Sequence, residues 1–385
     1  MDWRMRSFFV IVIVTCSVIL LLFTVLAPSQ QIPTHMNLTV IDWRPNSELG
    51  LDFIASYHVE SKWSPYKIRQ HKTPYLKIKT PQSYNNKCSK RIELPSYEIE
   101  PGGSEGEIFF LETSGRSWLT PREACALESA SKFSQLRVNI LFTSPFMDTF
   151  DNATCFLYMT VDNINFYTIN SAKIFSQTPL QGFEKRKSFL NSQFRDVHLS
   201  DSLRLALIYK TGGFYSDLDS VTIRDLSKYK NVIGATFRDK NATSPHLANG
   251  EFHFKRSHRL LLHTMKLLDK VYKGERRIEI GPLLITRAVK TLYNVSQVGG
   301  LRARDITVMP PVFFYPAKSY QVKTLWHEKQ RKFSEWSKFL ENSVQVHFYG
   351  SQTNQIVVEK NPSHELYAVI GPRYCPVSFW SSEHF

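Results

Sequence analysis

Long hydrophobic runs are almost absent from this 385-residue sequence, although 42% of its residues are hydrophobic. A single uncharged run, residues 8–26, stands apart from an otherwise mixed composition. The scarcity of such runs excludes a protein that crosses a membrane many times, and the composition favours a globular protein with a large core. The sequence also lacks internal repeats and low-complexity tracts, which excludes the repeat architectures.

Cysteine is scarce as well, with five residues in the chain. There is no Cys-x-x-Cys motif and no Cys/His spacing typical of zinc, so a zinc site is excluded. One cysteine, Cys16, lies in the hydrophobic run. The other four form an even set that allows three pairings, and we expect two disulfides in an oxidising compartment. These four are Cys88, Cys125, Cys155 and Cys375. For Cys125, which lies in an apolar helical pattern, a buried free thiol is the alternative.

The uncharged run predicts a signal anchor. It spans 19 positions after Arg4 and Arg6, enough to cross a thin bilayer as a helix. The positive residues place the tail, 1–7, in the cytosol and the rest in the lumen. A cleaved signal peptide is the alternative, and it leaves the same domain in the same compartment. Four Asn-x-Ser/Thr acceptor sites agree with a lumenal address: Asn37, Asn152, Asn241 and Asn294.

Acidic residues are outnumbered, 34 against 48 basic residues, which gives a formal net charge of +14. Short basic clusters at residues 184–187, 275–277 and 329–332 raise the question of nucleic acid binding. A lumenal domain does not meet nucleic acid, so we interpret these clusters as a solvated surface. Such a surface would also favour the approach of anionic lipid headgroups or a nucleotide.

Beyond a polar, aperiodic segment at 27–104, interpreted as a stem, the pattern predicts one α/β domain over residues 105–385. Residues 108–111 and 138–142 are short apolar runs typical of buried strands. Between them, Thr120 and Glu123 form a capping box around Pro121 and predict the start of a helix. A strand, a helix and a strand at this spacing indicate a parallel sheet covered by helices. Further helices are expected at 199–210, 259–272 and 282–292, and further strands at 232–237 and 251–255.

Two carboxylates, Asp217 and Asp219, follow a predicted strand. On an extended chain, side chains two residues apart point to the same face, so both could bind one divalent cation. Oxygen ligands suit Mg²⁺ or Mn²⁺. The alternative, a solvated strand end, is disfavoured because Phe214, Tyr215 and Leu218 surround the acids.

The preceding helix is apolar almost all round, which is typical of a buried helix. Asp201 and Arg204 are three residues apart and lie on one face. Two interpretations remain open at this point. The residues form an ion pair with each other, or both reach into the cleft that holds the metal and bind hydroxyl groups of a ligand.

Residues 199–226, LSDSLRLALIYKTGGFYSDLDSVTIRDL, closely resemble the α1,4-glycosyltransferases of glycosyltransferase family 32. The resemblance continues in the same order over nearly all of the chain after residue 104. The matching segments are IFFLETS (108–114), CALESA (125–130), NG (249–250), GPLLITR (281–287), FYP (314–316), VH (346–347) and RYCP (373–376).

This resemblance implies a GT-A fold, with a mixed, mostly parallel sheet flanked by helices, in a type II Golgi membrane protein. It also implies a UDP-sugar donor and Mn²⁺, or Mg²⁺. Asp219 would ligate the metal directly, and Asp217 would reach the metal through water or reach the ribose. His347 would be a further metal ligand; its alternative is a surface histidine. The donor contacts would be Asp201, Arg204, Tyr215, Asp217, Asn249 and Gly250, with Asn249 and Gly250 in a loop near the sugar.

The function expected from the resemblance is a retaining transfer of galactose or N-acetylgalactosamine to a glycolipid sugar in α1,4 linkage. The alternatives are an α1,4-N-acetylglucosaminyltransferase acting on protein O-glycans and a non-catalytic glycan-binding protein. No residue is assigned as nucleophile; Glu251 and Glu279 are candidates only. The chain departs from the family pattern at residues 280–282, IGP in place of QGP, and at residues 347–350, HFYG in place of a His-x-Trp-Asn pattern.

A phosphatase of the haloacid dehalogenase type shares the DxDx[TV] pattern at residues 217–221. Those enzymes also carry a later acidic motif, typically paired aspartates. No Asp-Asp pair occurs in this sequence, so we set the phosphatase aside.

Overall fold

The structure is a computed structural model, and it describes residues 88–100, 102–237, 245–322, 333–358, 366–381 and 385. These residues belong to the unit Asn85–Phe385. The predicted cytosolic tail, the anchor at 8–26, most of the stem, and two acceptor sites, Asn37 and Asn241, lie outside the described residues. Among the helices that are described, none is both long enough and apolar enough to cross a bilayer.

The strands and helices are numbered here in chain order. The strands are β1 (Arg91–Glu93), β2 (Glu107–Glu112), β3 (Arg137–Phe142), β4 (Phe146–Asp148), β5 (Ile164–Thr168), β6 (Gly213–Ser216), β7 (Ser220–Thr222), β8 (Val232–Thr236), β9 (His246–Phe254), β10 (Arg302–Ala303), β11 (Ile306–Met309) and β12 (Gln345–His347). The helices are α1 (Pro121–Phe133), α2 (Asn152–Thr160), α3 (Ser171–Phe175), α4 (Lys187–Leu190), α5 (Arg195–Thr211), α6 (Arg259–Val271), α7 (Pro282–Tyr293), α8 (Pro311–Phe314), α9 (Phe333–Phe339), α10 (Gly350–Thr353), α11 (Leu366–Tyr374) and α12 (Pro376–Trp380).

The main sheet has the strand order β10-β11-β8-β9-β6-β2-β3-β5. Strands β5, β3, β2, β6, β8 and β11 run in one direction, and β9 and β10 run in the other. This confirms the predicted α/β architecture, a mixed, mostly parallel sheet flanked by helices. The parallel strands at its centre, β2 and β6, place their carboxyl ends at the same edge.

Strand β2 shows why the sheet is buried on both faces. All six of its residues are buried. Phe109 and Leu111 pack in one hydrophobic core, together with residues of α5, α6 and α7. Ile108 and Phe110 pack in the core on the opposite face, with residues of α1 and α2. Alternate side chains of one strand therefore supply both cores, as expected for a central strand of a covered sheet.

The predicted start of α1 is confirmed in detail. Thr120 accepts a hydrogen bond from the N–H of Glu123, and the Glu123 carboxylate accepts one from the N–H of Thr120. Pro121 occupies the first helical position, where a missing N–H costs no intrahelical bond. The strands at 108–111, 138–142 and 232–237 and the helices at 199–210, 259–272 and 282–292 are also confirmed, each within a few residues.

Two disulfides join distant parts of the chain, as predicted. Cys88 pairs with Cys155 and Cys125 pairs with Cys375, so the free-thiol alternative for Cys125 was wrong. The first bond ties the chain entering β1 to α2. The second ties α1 to the segment before α12, in a third hydrophobic core that also contains residues of β7 and β12. The boundary predicted at residue 104 stays a prediction, although β1 already pairs with β4.

Asn249 and Gly250 were predicted to form a loop, and this was wrong. They lie inside β9, which is longer than the strand predicted at 251–255. The reason is that ladder pairs flank the two residues: β9 pairs with β8 at residues 246–247 and 252–253, and with β6 at residues 251–254. Asn249 and Gly250 lie between these pairs, where the register with β8 is irregular, so the turn preference of an Asn-Gly pair gives an irregular stretch within the strand and not a loop.

Candidate functional site

The Asp-Leu-Asp motif lies at the edge of the sheet where β6 ends. Asp217 follows β6 directly, and Leu218 and Asp219 form a turn into β7. The N–H of Ser220 donates to the carbonyl of Asp217 at 3.2 Å. The expectation of an extended chain was therefore wrong in detail, but the turn still brings the two carboxylates together.

Each carboxylate has one oxygen already bonded and one that faces His347. Oδ1 of Asp217 accepts a hydrogen bond from the Tyr215 hydroxyl and forms an ion pair with Arg204 Nη1, both at 2.9 Å. Its Oδ2 lies 3.7 Å from His347 Nε2. Oδ2 of Asp219 accepts a bond from the N–H of Gly350 at 2.6 Å, and its Oδ1 lies 3.1 Å from the same Nε2 atom. Three donor atoms thus face a common point.

These three atoms fit a divalent cation. The ligand atoms of Asp217, Asp219 and His347 lie within 4.8 Å of one another. Oδ1 of Asp219 is buried and makes no hydrogen bond of good geometry among the described residues; its charged neighbour is His347 Nε2, at 3.1 Å. A metal ion between them would bind both atoms and compensate the burial of the carboxylate. Two carboxylates and an imidazole are a suitable set for Mn²⁺ or Mg²⁺.

His347 is held in a buried position, so the surface alternative for this residue was wrong. It ends β12, which pairs with β7 so that His347 lies opposite Ser220. Its Nδ1 is 3.2 Å from the N–H of Tyr349, and its ring is 5.3 Å from the ring of Tyr315. Burial alone would lower the pKa of His347, but the nearby Asp219 and Glu251 more than offset this and raise it. Asp219 shows the reverse balance: burial would raise its pKa, and His347 lowers it.

The ion-pair interpretation of the helix charges is confirmed, and the binding of ligand hydroxyl groups stays a prediction. Nη2 of Arg204 lies 3.2 Å from Asp201 and its Nη1 lies 2.9 Å from Asp217, so the ion pair exists and also reaches the carboxylate cluster. Nη1 donates to the carbonyl of Asn249 as well, at 3.0 Å, and the guanidinium lies 4.5 Å above the ring of Tyr215. Burial is the main cause that raises the pKa of Asp201. The arginine remains charged.

The backbone beside this cluster requires glycine. A Cβ atom on Gly250 would lie 2.7 Å from Oδ2 of Asp217 and 3.2 Å from the Tyr315 hydroxyl. The Asn249 side chain donates to Asp201 at 2.8 Å, so strand β9 supports the acids from the side.

A cavity of about 690 Å³ opens over the cluster. Its size is in the range of pockets that hold small-molecule ligands. Asp201, Arg204, Asp217, Asp219 and Asn249 line it. Two predicted donor contacts, Tyr215 and Gly250, are not among the lining residues. They lie against Asp217 instead.

Three buried acidic and aromatic residues near the site were not assigned roles from the sequence. Glu251 is fully buried; one carboxylate oxygen accepts a bond from Ser220 and the other has no described partner. Burial raises its pKa to about 7. The Tyr315 hydroxyl accepts from the N–H of Glu251 at 3.1 Å. Glu112 ends β2, lines the cavity and has its pKa raised by burial. The available signal was an acid within a buried strand for Glu251 and an acid at the end of a buried strand for Glu112.

Glu279 has a structural role. Its carboxylate accepts hydrogen bonds from the backbone N–H groups of Lys273, Gly274 and Glu275, at 2.6 to 3.1 Å. Neither Glu279 nor Glu251 lines the cavity, so neither is placed to attack a bound ligand.

Two family models match the chain. Residues 120–238 match the glycosyltransferase sugar-binding region containing a DXD motif, and residues 253–382 match the alpha-1,4-glycosyltransferase conserved region. The first region contains Asp201, Arg204, Asp217 and Asp219, and the second contains His347.

Individual relatives agree. The rat lactosylceramide 4-alpha-galactosyltransferase is 28% identical over 309 residues, which cover 78% of this chain and 83% of that protein. The human alpha-1,4-N-acetylglucosaminyltransferase is 28% identical over 238 residues, covering 58% and 68%. Among solved structures, galactosyltransferase LgtC in complex with donor and acceptor sugar analogues is 14% identical with a TM-score of 0.39, covering 71% of this chain and 95% of that one.

Proposed function

We propose that the chain is a glycosyltransferase that combines a DXD sugar-binding region with an α1,4-glycosyltransferase region, because models of these two regions match residues 120–238 and 253–382. It transfers galactose, or N-acetylgalactosamine, from a UDP donor to a terminal galactose-type sugar of a glycolipid. The new linkage is α1,4 and the anomeric configuration is retained. The observation that carries this proposal is the cluster of three donor atoms from Asp217, Asp219 and His347. Asp217 and Asp219 line the ligand-sized cavity, and His347 lies beside them.

The chain's own residues prepare the site for a charged donor. Arg204 and Tyr215 hold one oxygen of Asp217, which leaves the other directed at the metal position. The N–H of Gly350 does the same for Asp219. When bound there, Mn²⁺ or Mg²⁺ would neutralise negative charge on the departing diphosphate. The imidazole ligand favours Mn²⁺ of the two.

Asp201 and Asn249 lie in the cavity wall with their polar atoms bonded to each other, so both are fixed in orientation. We assign to them hydrogen bonds with hydroxyl groups of the donor sugar. No protein nucleophile is needed in this scheme, because the departing phosphate oxygen can accept the acceptor's proton on the same face of the sugar. The positions of Glu251 and Glu279 outside the cavity lining agree with this.

The acceptor and the cellular address are proposed on other grounds. The name of the rat relative supports a glycolipid acceptor and galactose as the sugar. The second candidate, α1,4 transfer of N-acetylglucosamine to protein O-glycans, is supported by the human relative. A lumenal domain anchored in the Golgi membrane by residues 8–26 would meet either acceptor, and it would not meet nucleic acid.

The test is a transfer assay with the purified full-length chain in detergent. UDP-galactose, UDP-N-acetylgalactosamine and UDP-N-acetylglucosamine are each offered with a lactosylceramide-type acceptor and with an O-glycan acceptor, in Mn²⁺, in Mg²⁺ and in EDTA. We expect Mn²⁺-dependent transfer to the glycolipid from one of the first two donors. Transfer only from UDP-N-acetylglucosamine to the O-glycan supports the second candidate, and no transfer from any donor refutes both.

A further inference from the structure

Phe150 is the most exposed large hydrophobic side chain in the described parts of the chain, at 63% of its full accessibility. It lies in the link between β4 and α2, away from the cavity lining. An aromatic ring left in water loses the free energy that burial of its faces would supply. Something that covers this ring would therefore stabilise the fold.

The neighbouring residues show what that cover is. Asp151 is the N-cap of α2 and has an extended backbone, with φ of −90° and ψ of 151°. Phe150 and Asn152 flank this one extended residue, and both are exposed. A sugar on Asn152 would therefore begin two residues from the Phe150 ring.

Asn152, Ala153 and Thr154 form an Asn-x-Thr acceptor site. We propose that Asn152 carries an N-linked glycan whose first N-acetylglucosamine lies against the ring of Phe150. The co-reactant is a lipid diphosphate-linked oligosaccharide. The Asn152 amide nitrogen forms a bond to C1 of its first sugar and gives up one proton, and the bond from C1 to the diphosphate oxygen breaks.

The fold also implies that the glycan is attached before folding is complete. The Thr154 hydroxyl is fully buried; it accepts from the N–H of Leu119 at 2.8 Å and lies 3.3 Å from the Leu119 carbonyl. An acceptor hydroxyl in this state is closed to an enzyme, so the glycan is attached before α2 packs against the chain before α1. The disulfide at the next residue, Cys155, agrees with folding in an oxidising compartment.

Asn294 is the matched comparison within the same chain. It is an exposed acceptor site too, at the end of α7, in the left-handed conformation with φ of 51°. The residue two before it is Leu292, which is half-buried and has no aromatic face. Tyr293, directly before Asn294, is half-buried, and the guanidinium of Arg259 lies 4.7 Å from its ring centre. We therefore expect a glycan at Asn294 to gain less ring contact, and its removal to change stability less.

The experiment expresses the full chain in mammalian cells and compares it with Asn152→Gln, Asn294→Gln, Phe150→Ala and the double variant Phe150→Ala with Asn152→Gln. We expect an N-glycosidase-sensitive mass on the peptide that contains Asn152, and its loss in Asn152→Gln. Thermal unfolding should show a fall in Tm of about 2 °C for Asn152→Gln. In the Phe150→Ala background the same change should have almost no effect, and Asn294→Gln should lower Tm by less.

Two results overturn the proposal. One is an Asn152 that carries no glycan, whether or not the protein has entered the secretory pathway. The other is a Tm loss from Asn152→Gln that is as large with Phe150→Ala as without it. Neither result depends on transferase activity, so this inference stands or falls separately from the proposed function.

Discussion

Replacing Asp219 by asparagine alters one metal-facing atom and leaves the surrounding fold in place. The N–H of Gly350 donates to Oδ2 of Asp219, so the asparagine must keep its carbonyl oxygen at that position. Its amide NH₂ then lies where Oδ1 was, 3.1 Å from His347 Nε2. The substitution replaces an anionic ligand with a donor group that cannot bind a cation.

The size of the effect follows from this geometry. With Asp217 and His347, Asp219 provides one of three donor atoms, so its loss removes a third of the protein ligands and one of two negative charges. Losing one preorganised contact with charge that develops in the transition state costs about 10² to 10³ in turnover. We expect a fall of that size in transfer, together with a weakening of Mn²⁺ binding by at least about tenfold.

The assay measures transfer at saturating donor over a range of Mn²⁺ concentrations, and Tm by thermal unfolding. The control is Asp162→Asn, which makes the same chemical change at an exposed position outside the cavity lining. Asp219→Asn should lose activity while its Tm stays within about 2 °C of the parent, because the bond from Gly350 is kept. Undiminished transfer by Asp219→Asn, or a loss matched by Asp162→Asn, would refute the assignment of Asp219 as a metal ligand.

Two further predictions concern stability. Glu251 has its pKa raised by burial from 4.5 to about 7, so the folded protein binds a proton that the unfolded chain releases between these values, and stability falls as the pH rises through this range. In the metal-free protein, we therefore expect Glu251→Gln to have a free energy of unfolding about 3 kcal/mol higher than the parent at pH 8 and almost the same at pH 4.5. Urea unfolding at both pH values measures this, and an equal difference at the two pH values would contradict it. Replacing both Cys125 and Cys375 by serine removes a link between residues 250 apart and should lower the free energy of unfolding by about 4 to 5 kcal/mol. Under non-reducing conditions we expect a Tm about 10 °C below that of the parent, and equal Tm values would count against this.

The elements that could be predicted from sequence are those with a local cause. The capping box at Thr120 and Glu123 fixes where α1 begins, and the uniform apolar character of β2 predicts a central strand. The Asp217 and Asp219 pair indicated a cation site, although the side chains meet through a turn and not along an extended strand. The anchor at residues 8–26 and the residue roles in donor binding remain predictions.

The parts that could not be predicted depend on pairing between distant segments. His347 reaches Asp219 because the three-residue strand β12 pairs with β7, and strands this short carry no register signal of their own. The loop predicted at Asn249 and Gly250 was wrong for the same reason, since the pairs of β9 with β6 and β8 that flank them in sequence come from distant segments. Glu251 could be seen as an unusual acid in a buried strand, but its contact with Ser220 depends on the same tertiary arrangement.

The bond between Cys125 and Cys375 joins a part of the chain that is synthesised early to a part that is synthesised late. A ribosome releases Cys125 together with Cys88 and Cys155 long before Cys375, so three thiols coexist while only one native pair can form. Because Cys125, Cys375, β7 and β12 share one core, we expect a chain that fails to close this bond also to hold His347 less firmly beside Asp219.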